Sequence, residues 1–392
     1  MIKLQVKNKK LGPVRGRHPW LFSQGILNLP DKIESGEPVV LISEAGDFLA
    51  QGYFNSYSQI AVRIWSYDQK EKIDQDFFTR RITASWNLRK KYIDEKLTNA
   101  YRLVNGENDM LPGLIIDKYD DYFVVQCHNR GIEKWKDLIT KSLIAVFDPK
   151  GIYERSDAFA RRVENLSKQS GLLYGTMPDL VKIYENGFSF LIDIKEGQKT
   201  GFFLDQRDKR LALMKYAKDK TVANCFSYSG GFSVYALAAG ARSVTSVDVS
   251  QKAIDLAKEN IKINKLKMDK VEFIVEDVKL YLKEAKPCFF DLIILDPPAF
   301  IKDRRKIKEG IEGYKKINEE AIKKINQDGI LLSCSCSAHL NSSDFRYMLS
   351  ESAGRTQRNL RILEKMYNSI DHPELVAFSE TGYLKSYFCH VD

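Results

Sequence analysis

What this chain lacks excludes several classes of protein. Its 392 residues contain no apolar run near the roughly 20 residues that a membrane-spanning helix needs. The N-terminus, MIKLQVKNKK, is basic but is not followed by the apolar segment of a secretion signal. Its six cysteines are scattered over the whole length, unlike the framework of a disulfide-rich secreted domain. We therefore expect free thiols, no membrane partner and a cytoplasmic location.

Signals for metals and for common nucleotides are also scarce. The only closely spaced cysteines are Cys334 and Cys336, and a Cys-x-Cys pair without a second pair or a nearby histidine cluster is poor evidence for zinc. The chain contains neither the G-x-G-x-x-G pattern of dinucleotide-binding turns nor a phosphate-binding loop with its lysine. We therefore expect no metal, and a cofactor other than ATP or NAD.

Charged residues are numerous in this chain, and the positive ones outnumber the negative ones. Lysine and arginine number 61 against 52 acidic residues, which gives a net charge of +9. This balance suits a polyanionic partner such as nucleic acid, although many basic proteins bind none.

Residues 1–72 are predicted to form a small β domain, because short apolar runs alternate with turn signals and no helix of normal length fits. The loop GPVRGRHPWLFS places Arg15, Arg17 and His18 beside Trp20. Basic side chains contact phosphates and aromatic rings stack on bases, so this loop is a candidate RNA-binding surface. The alternative is a turn held by two anchoring aromatic side chains.

Residues 73–185 are predicted to form a central α+β domain, and residues 186–392 a larger α/β domain with a leading β-hairpin that turns at Asn186-Gly187. In the α/β domain, periodic helical segments separate apolar strands. This alternation implies a parallel sheet with helices on both faces. The predicted strands are TVANCFS, SVTSVDV, KVEFIVED, FDLIILD and GILLSCS.

Four clusters follow the ends of these strands, where ligands bind in open α/β sheets. The first strand leads into a small-residue turn with Gly230, and the second ends at Asp248, 18 residues later, where an acid can hold both hydroxyls of a ribose. Asp277 after the third strand can reach an adenine amino group, and Asp296 opens Asp-Pro-Pro-Ala-Phe after the fourth. Singly, each acid is better explained as a helix cap or turn residue. Together they favour S-adenosylmethionine and a Rossmann-like class I methyltransferase domain.

The fifth strand brings Cys334 and Cys336 to the same edge of the sheet. A thiolate that adds to C6 of a pyrimidine makes C5 nucleophilic towards a sulfonium methyl group, and Asp296 would assist at N3. Either cysteine can instead be a small buried apolar residue. On a rival interpretation, Asp296 and the Pro297 carbonyl bind an exocyclic purine amine while Phe300 stacks on the base. A second rival is a non-catalytic RNA-binding protein.

The motifs resemble those of the PUA-domain large-subunit ribosomal RNA methyltransferases, the cytosine-C5 branch, over almost the whole chain. The resemblance implies that Phe203, Gln206 and Arg207 help enclose S-adenosylmethionine. The segments that carry it are GRHPWLFS, GENDMLPGLIIDKY, EGQKTGFFLDQRDKR, NCFSYSGGFSVYA, DPPAF and SCSCSAH. Further implied cofactor residues are Asn224, Phe226, Tyr228 and Gly230 at the amino-acid end, Asp248 at the ribose and Asp277 near the adenine.

The nucleophile is assigned by the same resemblance. Other RNA cytosine-C5 methyltransferases carry a TCS motif seven residues after the glycine that opens this strand, and counting from Gly329 gives Cys336. Those enzymes also have a cysteine after the fourth strand, which the Asp-Pro-Pro-Ala-Phe segment lacks. The leading hypothesis is methylation of a ribosomal RNA cytosine at C5 by Cys336 and Asp296, with the base that removes the C5 proton unassigned. A homodimer is a further expectation.

Overall fold

The computed structural model describes residues 1–29, 33–301 and 303–392. Within these residues no helix combines the length and apolar character needed to cross a membrane. The chain divides into two compact units, each built from separate segments. Unit 1 comprises Met1–Val181, Asp193–Gly201 and Ile370–Ser379, and unit 2 comprises Lys182–Ile192, Phe202–Ser369 and Glu380–Asp392. The predicted division into three domains at residues 72 and 185 stays a prediction.

The N-terminal part of unit 1 is a small β-sheet, as the turn signals predicted. The sheet order is β1-β3-β4-β5-β2, and the Glu44–Asp47 turn joins an antiparallel hairpin. Its core is aliphatic, with Leu4, Val39 and Ile64 fully buried. The elements are β1 Ile2–Gln5, α1 Leu11–Arg15, β2 Trp20–Phe22, β3 Pro38–Ile42, β4 Phe48–Phe54 and β5 Ile60–Ser66.

A second sheet follows in unit 1, with order β10-β9-β8-β7-β6. The ring of Trp65, at the end of the first sheet, lies 5.9 Å from Phe78 and 6.1 Å from Trp135. One aromatic cluster therefore extends from the β domain into the central α+β region. The elements are α2 Gln75–Lys90, β6 Ala100–Asn105, β7 Leu114–Tyr119, β8 Tyr122–Cys127, α3 Arg130–Phe147, β9 Gly151–Ser156, α4 Ala160–Val163 and β10 Gln169–Gly175.

The predicted hairpin at Asn186-Gly187 is confirmed. Its strands are β11 Val181–Glu185 and β12 Phe188–Ile192. Asn186 has φ 49° and Gly187 φ 83°, and a two-residue hairpin turn with φ positive at both positions matches the twist of the strands it joins.

Unit 2 contains the predicted parallel sheet. Its strands are β13 Thr221–Cys225, β14 Ser243–Asp248, β15 Val271–Val275, β16 Phe290–Leu295, β17 Ile325–Ser335, β18 Leu360–Met366 and β19 Lys385–Val391. Their order in the sheet is β15-β14-β13-β16-β17-β19-β18. The strands from β15 to β17 are mutually parallel, whereas β19 pairs antiparallel with both β17 and β18. Buried aliphatic side chains such as Ile293, Leu295 and Leu331 form its core, and each contributes about 1.5–3 kcal/mol. The Rossmann-like prediction is confirmed, and β18 and β19 are additions to it.

Helices alternate with the strands of this sheet along the chain, up to β18. They are α5 Arg207–Ala217, α6 Gly231–Ala238, α7 Gln251–Ile263, α8 Val278–Glu284, α9 Ile307–Lys324 and α10 Ser342–Thr356.

Candidate active site

The turn between β13 and α6, residues 226–230, is termed the glycine turn, and it has an unusual backbone. Phe226, Tyr228 and Gly230 all adopt positive φ angles, of 62°, 44° and 76°. A side chain on Gly230 would bring its Cβ to 2.9 Å from the Cβ of Ala257, which is too close. Left-handed backbone costs roughly 1–2 kcal/mol at each non-glycine residue, and such strain concentrates where a loop is shaped for a ligand.

Asp248, at the end of β14, holds this turn in place. Its side chain is buried, and its two oxygens accept hydrogen bonds from the backbone N–H groups of Tyr228 at 2.9 Å and Ser250 at 3.0 Å. The structure thus places Asp248 against the glycine turn, and its contact with a ribose stays a prediction.

Several buried polar atoms near the turn have no partner among the residues that the structure describes. Asn224 donates to Ser233 Oγ at 2.8 Å, but its own carbonyl oxygen accepts nothing. The hydroxyls of Ser227 and Ser229 and the carbonyl oxygen of Gln206 are also buried and unsatisfied. Unsatisfied buried polar groups are costly, so this set suits a ligand that carries its own donors and acceptors, as S-adenosylmethionine does.

The segment before α5 joins the same cluster. The rings of Phe203 and Tyr228 meet edge to face with 5.4 Å between their centroids. Gln206 Nε2 donates to Asp296 Oδ1 at 2.7 Å, which links this segment to the loop after β16. Arg207 is buried, with Nε 3.3 Å from Asp208 Oδ1. All three residues predicted to enclose the cofactor therefore lie in unit 2, two of them in direct contact with other predicted site residues.

Asp277 has a different environment. It is exposed and caps α8, because its Oδ1 accepts from the backbone N–H groups of Lys279 at 2.8 Å and Leu280 at 3.4 Å. This is the helix-cap alternative that the sequence left open, and a contact with adenine stays a prediction.

The two cysteines differ in accessibility. Cys334 lies inside β17 and is 1% exposed, and burial raises the pKa of its thiol well above the usual value. Cys336 lies just beyond the strand end and is half-buried, with its Sγ donating to the Pro297 carbonyl at 3.8 Å. Because β16 and β17 are parallel neighbours, Asp296 and Cys336 follow adjacent strand ends. Only Cys336 combines access with a position beside Asp-Pro-Pro-Ala-Phe.

Phe300, the last residue of that motif, is only partly available. Its ring packs 4.6 Å from the ring of Tyr314 on α9, and Lys279 Nζ lies 5.5 Å from its centroid. Pro297 itself is buried. A stacking role for Phe300, and substrate contact by Pro297, stay predictions.

Two buried lysines at this site were not predicted. Burial lowers the pKa of both Lys209 and Lys385 to about 8. Lys209 lies in the first turn of α5, three residues after Gln206. Lys385 reaches the site only through the pairing of β19 with β17, where it lies opposite Ser335. A local motif search has no signal for Lys385, since fifty residues of sequence separate it from that strand partner.

The basic residues of the N-terminal loop lie in unit 1. Arg15 and Arg17 are exposed, and the Arg17 guanidinium lies 5.2 Å from the centre of the Tyr67 ring. His18 is half-buried, and its carbonyl accepts a hydrogen bond from the Tyr67 hydroxyl at 3.2 Å. The two arginines are therefore accessible to a partner, and their contact with RNA stays a prediction.

Trp20 is an anchoring residue. Its indole N–H donates to Glu107 Oε1 at 2.8 Å, and its ring meets Phe378 edge-on at 4.6 Å. These contacts match the alternative in which aromatic side chains hold the turn, and base stacking by Trp20 stays a prediction.

Comparison with known proteins identifies a family for the N-terminal β domain and another for the part of the chain that includes the α/β domain. A PUA-like domain family matches residues 4–67, and an S-adenosylmethionine-dependent methyltransferase family matches residues 163–386. Ribosomal RNA large subunit methyltransferase I of Aliivibrio fischeri is 42% identical over 381 residues, covering 96% of each chain. The protein of that name from Tolumonas auensis is 43% identical over 373 residues, covering 94% of each.

Solved structures agree over the full length. A Streptococcus mutans protein assigned as an S-adenosylmethionine-dependent methyltransferase has 28% identity and a TM-score of 0.84, with all of both chains covered. A structure assigned as a methyltransferase and solved in complex with SAH has 27% identity and a TM-score of 0.85, again over both whole chains. The family match spans more than half of the sequence and the curated relatives nearly all of it, so this chain belongs to the S-adenosylmethionine-dependent methyltransferases, alongside the ribosomal RNA large subunit methyltransferase I proteins.

Proposed function

We propose that this enzyme methylates C5 of a cytosine in large-subunit ribosomal RNA, with Cys336 as the nucleophile and Asp296 assisting. The names of the relatives supply the substrate class. The observation that carries the cytosine chemistry is the position of Cys336, half-buried beside the Pro297 carbonyl at the strand edge where the glycine turn and Asp296 lie. Cys334, two residues earlier, is 1% exposed and therefore unsuited to attack a base.

When bound, S-adenosylmethionine supplies an electrophilic methyl group. Cys336 Sγ adds to C6 of the cytosine, and the electron pair of the C5–C6 double bond becomes available at C5. Asp296, as the carboxylic acid, would stabilise this adduct by donating a hydrogen bond to N3, which carries no hydrogen in cytosine. The methyl group would pass to C5 as its bond to the cofactor sulfur breaks. A base would then remove the C5 proton, the C5–C6 double bond would reform, and the C6–S bond would break to release the thiolate.

The cofactor would be held by residues that the fold already gathers. The residues proposed to contact it are Phe203, Gln206, Arg207, Asn224, Phe226, Tyr228, Gly230, Asp248, Asp277 and Asp296. The unsatisfied oxygens of Gln206 and Asn224 support this assignment. Because Gln206 also bonds Asp296, it would orient that carboxylate between cofactor and base.

The PUA-like domain would anchor the RNA. Arg15 and Arg17 are exposed and would contact phosphates. His18, Trp20, Pro297 and Phe300 complete the proposed RNA-contacting set. A cytoplasmic location and a homodimer also stay predictions.

Nucleoside analysis of large-subunit RNA tests the function directly. We expect cells without the gene to lose one 5-methylcytosine, which the wild-type gene restores and Cys336→Ala does not. Cys334→Ala is the matched control and should restore it. Loss of a methylated purine, or full restoration by Cys336→Ala, would mean that both cysteines serve only as packing residues. It would favour methylation of a purine amine by Asp296, Pro297 and Phe300.

The covalent step has its own readout. RNA with 5-fluorocytosine at the target should trap a protein–RNA adduct, because fluorine at C5 cannot leave as a proton. The wild-type protein and Cys334→Ala should form this adduct, and Cys336→Ala should not. Absence of S-adenosylmethionine binding in calorimetry would instead favour a non-catalytic RNA-binding protein.

A further inference from the structure

Lys385 is a lysine buried at the cysteine end of the sheet. It is 2% exposed, and its Nζ donates to the carbonyl of Ser337, the residue after Cys336, at 2.9 Å. No carboxylate in the described part of the chain lies within ion-pair distance of it. Burying an ammonium group without a counter-ion costs free energy. Packing alone therefore does not explain why a lysine lies beside a candidate nucleophile.

Burial and Cys336 act on Lys385 in opposite directions. Burial lowers the pKa of Lys385 to about 8, while a negative charge on Cys336 raises it. A lysine in this range is partly neutral near neutral pH and can accept a proton, as general bases do. The thiol of an ordinary cysteine ionises in the same range, so a lysine of this kind is a suitable proton acceptor for a thiol.

The other groups at this end of the sheet are arranged differently. Lys209 on α5 interacts with Asp205, Cys334, Asp208 and Asp296. Tyr314 on α9 interacts with Cys336, but burial raises the pKa of its hydroxyl. Cys336 is the charged group that acts on Lys385, whereas the strongest interaction of Lys209 is with Asp205.

We propose that Lys385 activates Cys336 by taking its proton, a step whose catalytic use rests on the proposed function. The Sγ–H bond breaks, the proton passes to Lys385 Nζ, and the electron pair stays on sulfur, leaving an ammonium–thiolate pair. The thiolate then adds to C6 of the base. When the C6–S bond breaks at the end of the reaction, the ammonium group stabilises the departing thiolate, and no other reactant is needed for either step.

Lys324 provides a matched control. It is also a buried lysine of unit 2 whose Nζ donates to backbone carbonyls, those of Lys283 and Ala285 at 3.3 and 2.7 Å. It lies immediately before β17 begins, at the opposite end of that strand from Cys336. Its replacement removes a buried ammonium group without touching the cysteine.

The test is alkylation of Cys336 by iodoacetamide as a function of pH, without RNA, followed by peptide mass spectrometry. In the wild type we expect the Cys336 midpoint to lie below that of exposed Cys288 in the same sample. Lys385→Met should raise the Cys336 midpoint and slow alkylation at pH 7 by about tenfold, the effect of one pKa unit. Lys324→Met should leave it unchanged. Lys385→Arg retains the positive charge and should keep a low midpoint.

An unchanged midpoint in folded Lys385→Met, checked by S-adenosylmethionine binding, would overturn the proposal. If that variant does not fold, a wild-type Cys336 midpoint at or above that of Cys288 overturns it equally. Because alkylation needs no RNA, a shifted midpoint together with methyl transfer that survives Cys336→Ala would reject the cytosine mechanism and retain the lysine–cysteine pair.

Discussion

Asp248 and Asp296 end two strands of the same sheet but have different neighbours. Asp248 accepts two backbone N–H groups, so its orientation is fixed by the main chain. Asp296 accepts a hydrogen bond from the side chain of Gln206, which is itself buried. The first arrangement suits a fixed cofactor contact, and the second ties the carboxylate proposed to act on the base to a residue proposed to enclose the cofactor.

Replacing Asp248 by Asn tests the first assignment. An amide nitrogen cannot accept the bond that one of the two backbone N–H groups donates. An unsatisfied buried donor costs about 1–3 kcal/mol. We expect S-adenosylmethionine affinity, measured by calorimetry, to fall at least tenfold.

Asp291→Asn is the matched control. Asp291 also accepts from a backbone N–H, that of Thr221 at 2.8 Å, and from the Asn326 side chain at 2.9 Å. It lies near the start of β16, away from the glycine turn. A comparable loss of stability with unchanged cofactor affinity is expected, and an equal loss of affinity in both variants would count against a specific role for Asp248.

Sequence patterns predicted the site residues that lie at or just after the end of a strand. They did not predict residues that long-range strand pairing brings to the site. Asp248 and Asp296 were predictable because each closes an apolar strand in a parallel sheet. Asp277 was ambiguous, since an acid at that position suits both a helix cap and an adenine contact. Lys385 was beyond prediction, because only its pairing with Ser335 brings it near Cys336.

Among the elements, the glycine turn concentrates the strain of unit 2. Gly230→Ala would force a side chain onto a left-handed backbone and against Ala257. We expect a loss of roughly 1–3 kcal/mol in the free energy of unfolding and weaker cofactor binding, measured by chemical denaturation and calorimetry. A neutral Gly230→Ala variant would show that the turn adapts freely.

Gly354→Ala serves as the control for that substitution. Gly354 lies in α10, has no positive φ, and has nothing within 4 Å of an added Cβ. Alanine is the better helix former by about 1 kcal/mol, so this variant should be neutral or slightly more stable, with unchanged cofactor affinity.

The contrast between local sequence patterns and long-range pairing also explains which strands of unit 2 were predicted. β16 is an almost wholly apolar run, and β13 and β14 mix small polar residues with buried valine, alanine and cysteine. Strands of this composition are typical of the buried interior of a parallel sheet. β18 contains no fully buried residue. Its inward face includes Glu364 while Leu363 is exposed, so the alternation of apolar and polar residues in LRILEKM is interrupted. β19 owes its position to pairing between β17 and β18, which no local pattern encodes.

At the scale of the whole molecule, the net charge of +9 predicts salt-dependent RNA binding. Each phosphate contact releases counterions, and it makes the negative slope of log affinity against log salt concentration steeper by roughly 0.7 to 0.9. Arg15→Gln with Arg17→Gln should therefore lower the slope by about 1.5, measured by filter binding. Lys262→Gln, which breaks the exposed pair with Glu259, is the control, and affinity independent of salt would argue against an electrostatic anchor.

The alternation of the two units along the chain bears on how the protein is made. The polypeptide enters unit 1 three times and unit 2 three times, and the last segment of each follows residue 369. During synthesis on the ribosome, unit 1 stays incomplete until residues 370–379 emerge. The sheet of unit 2 waits longer still, because β19 must insert between two strands already translated. Both units therefore stay incomplete until nearly the whole chain has been translated, and unit 2 is the last to be completed. A premature stop before β19 would leave both cysteines without the lysine that β19 carries.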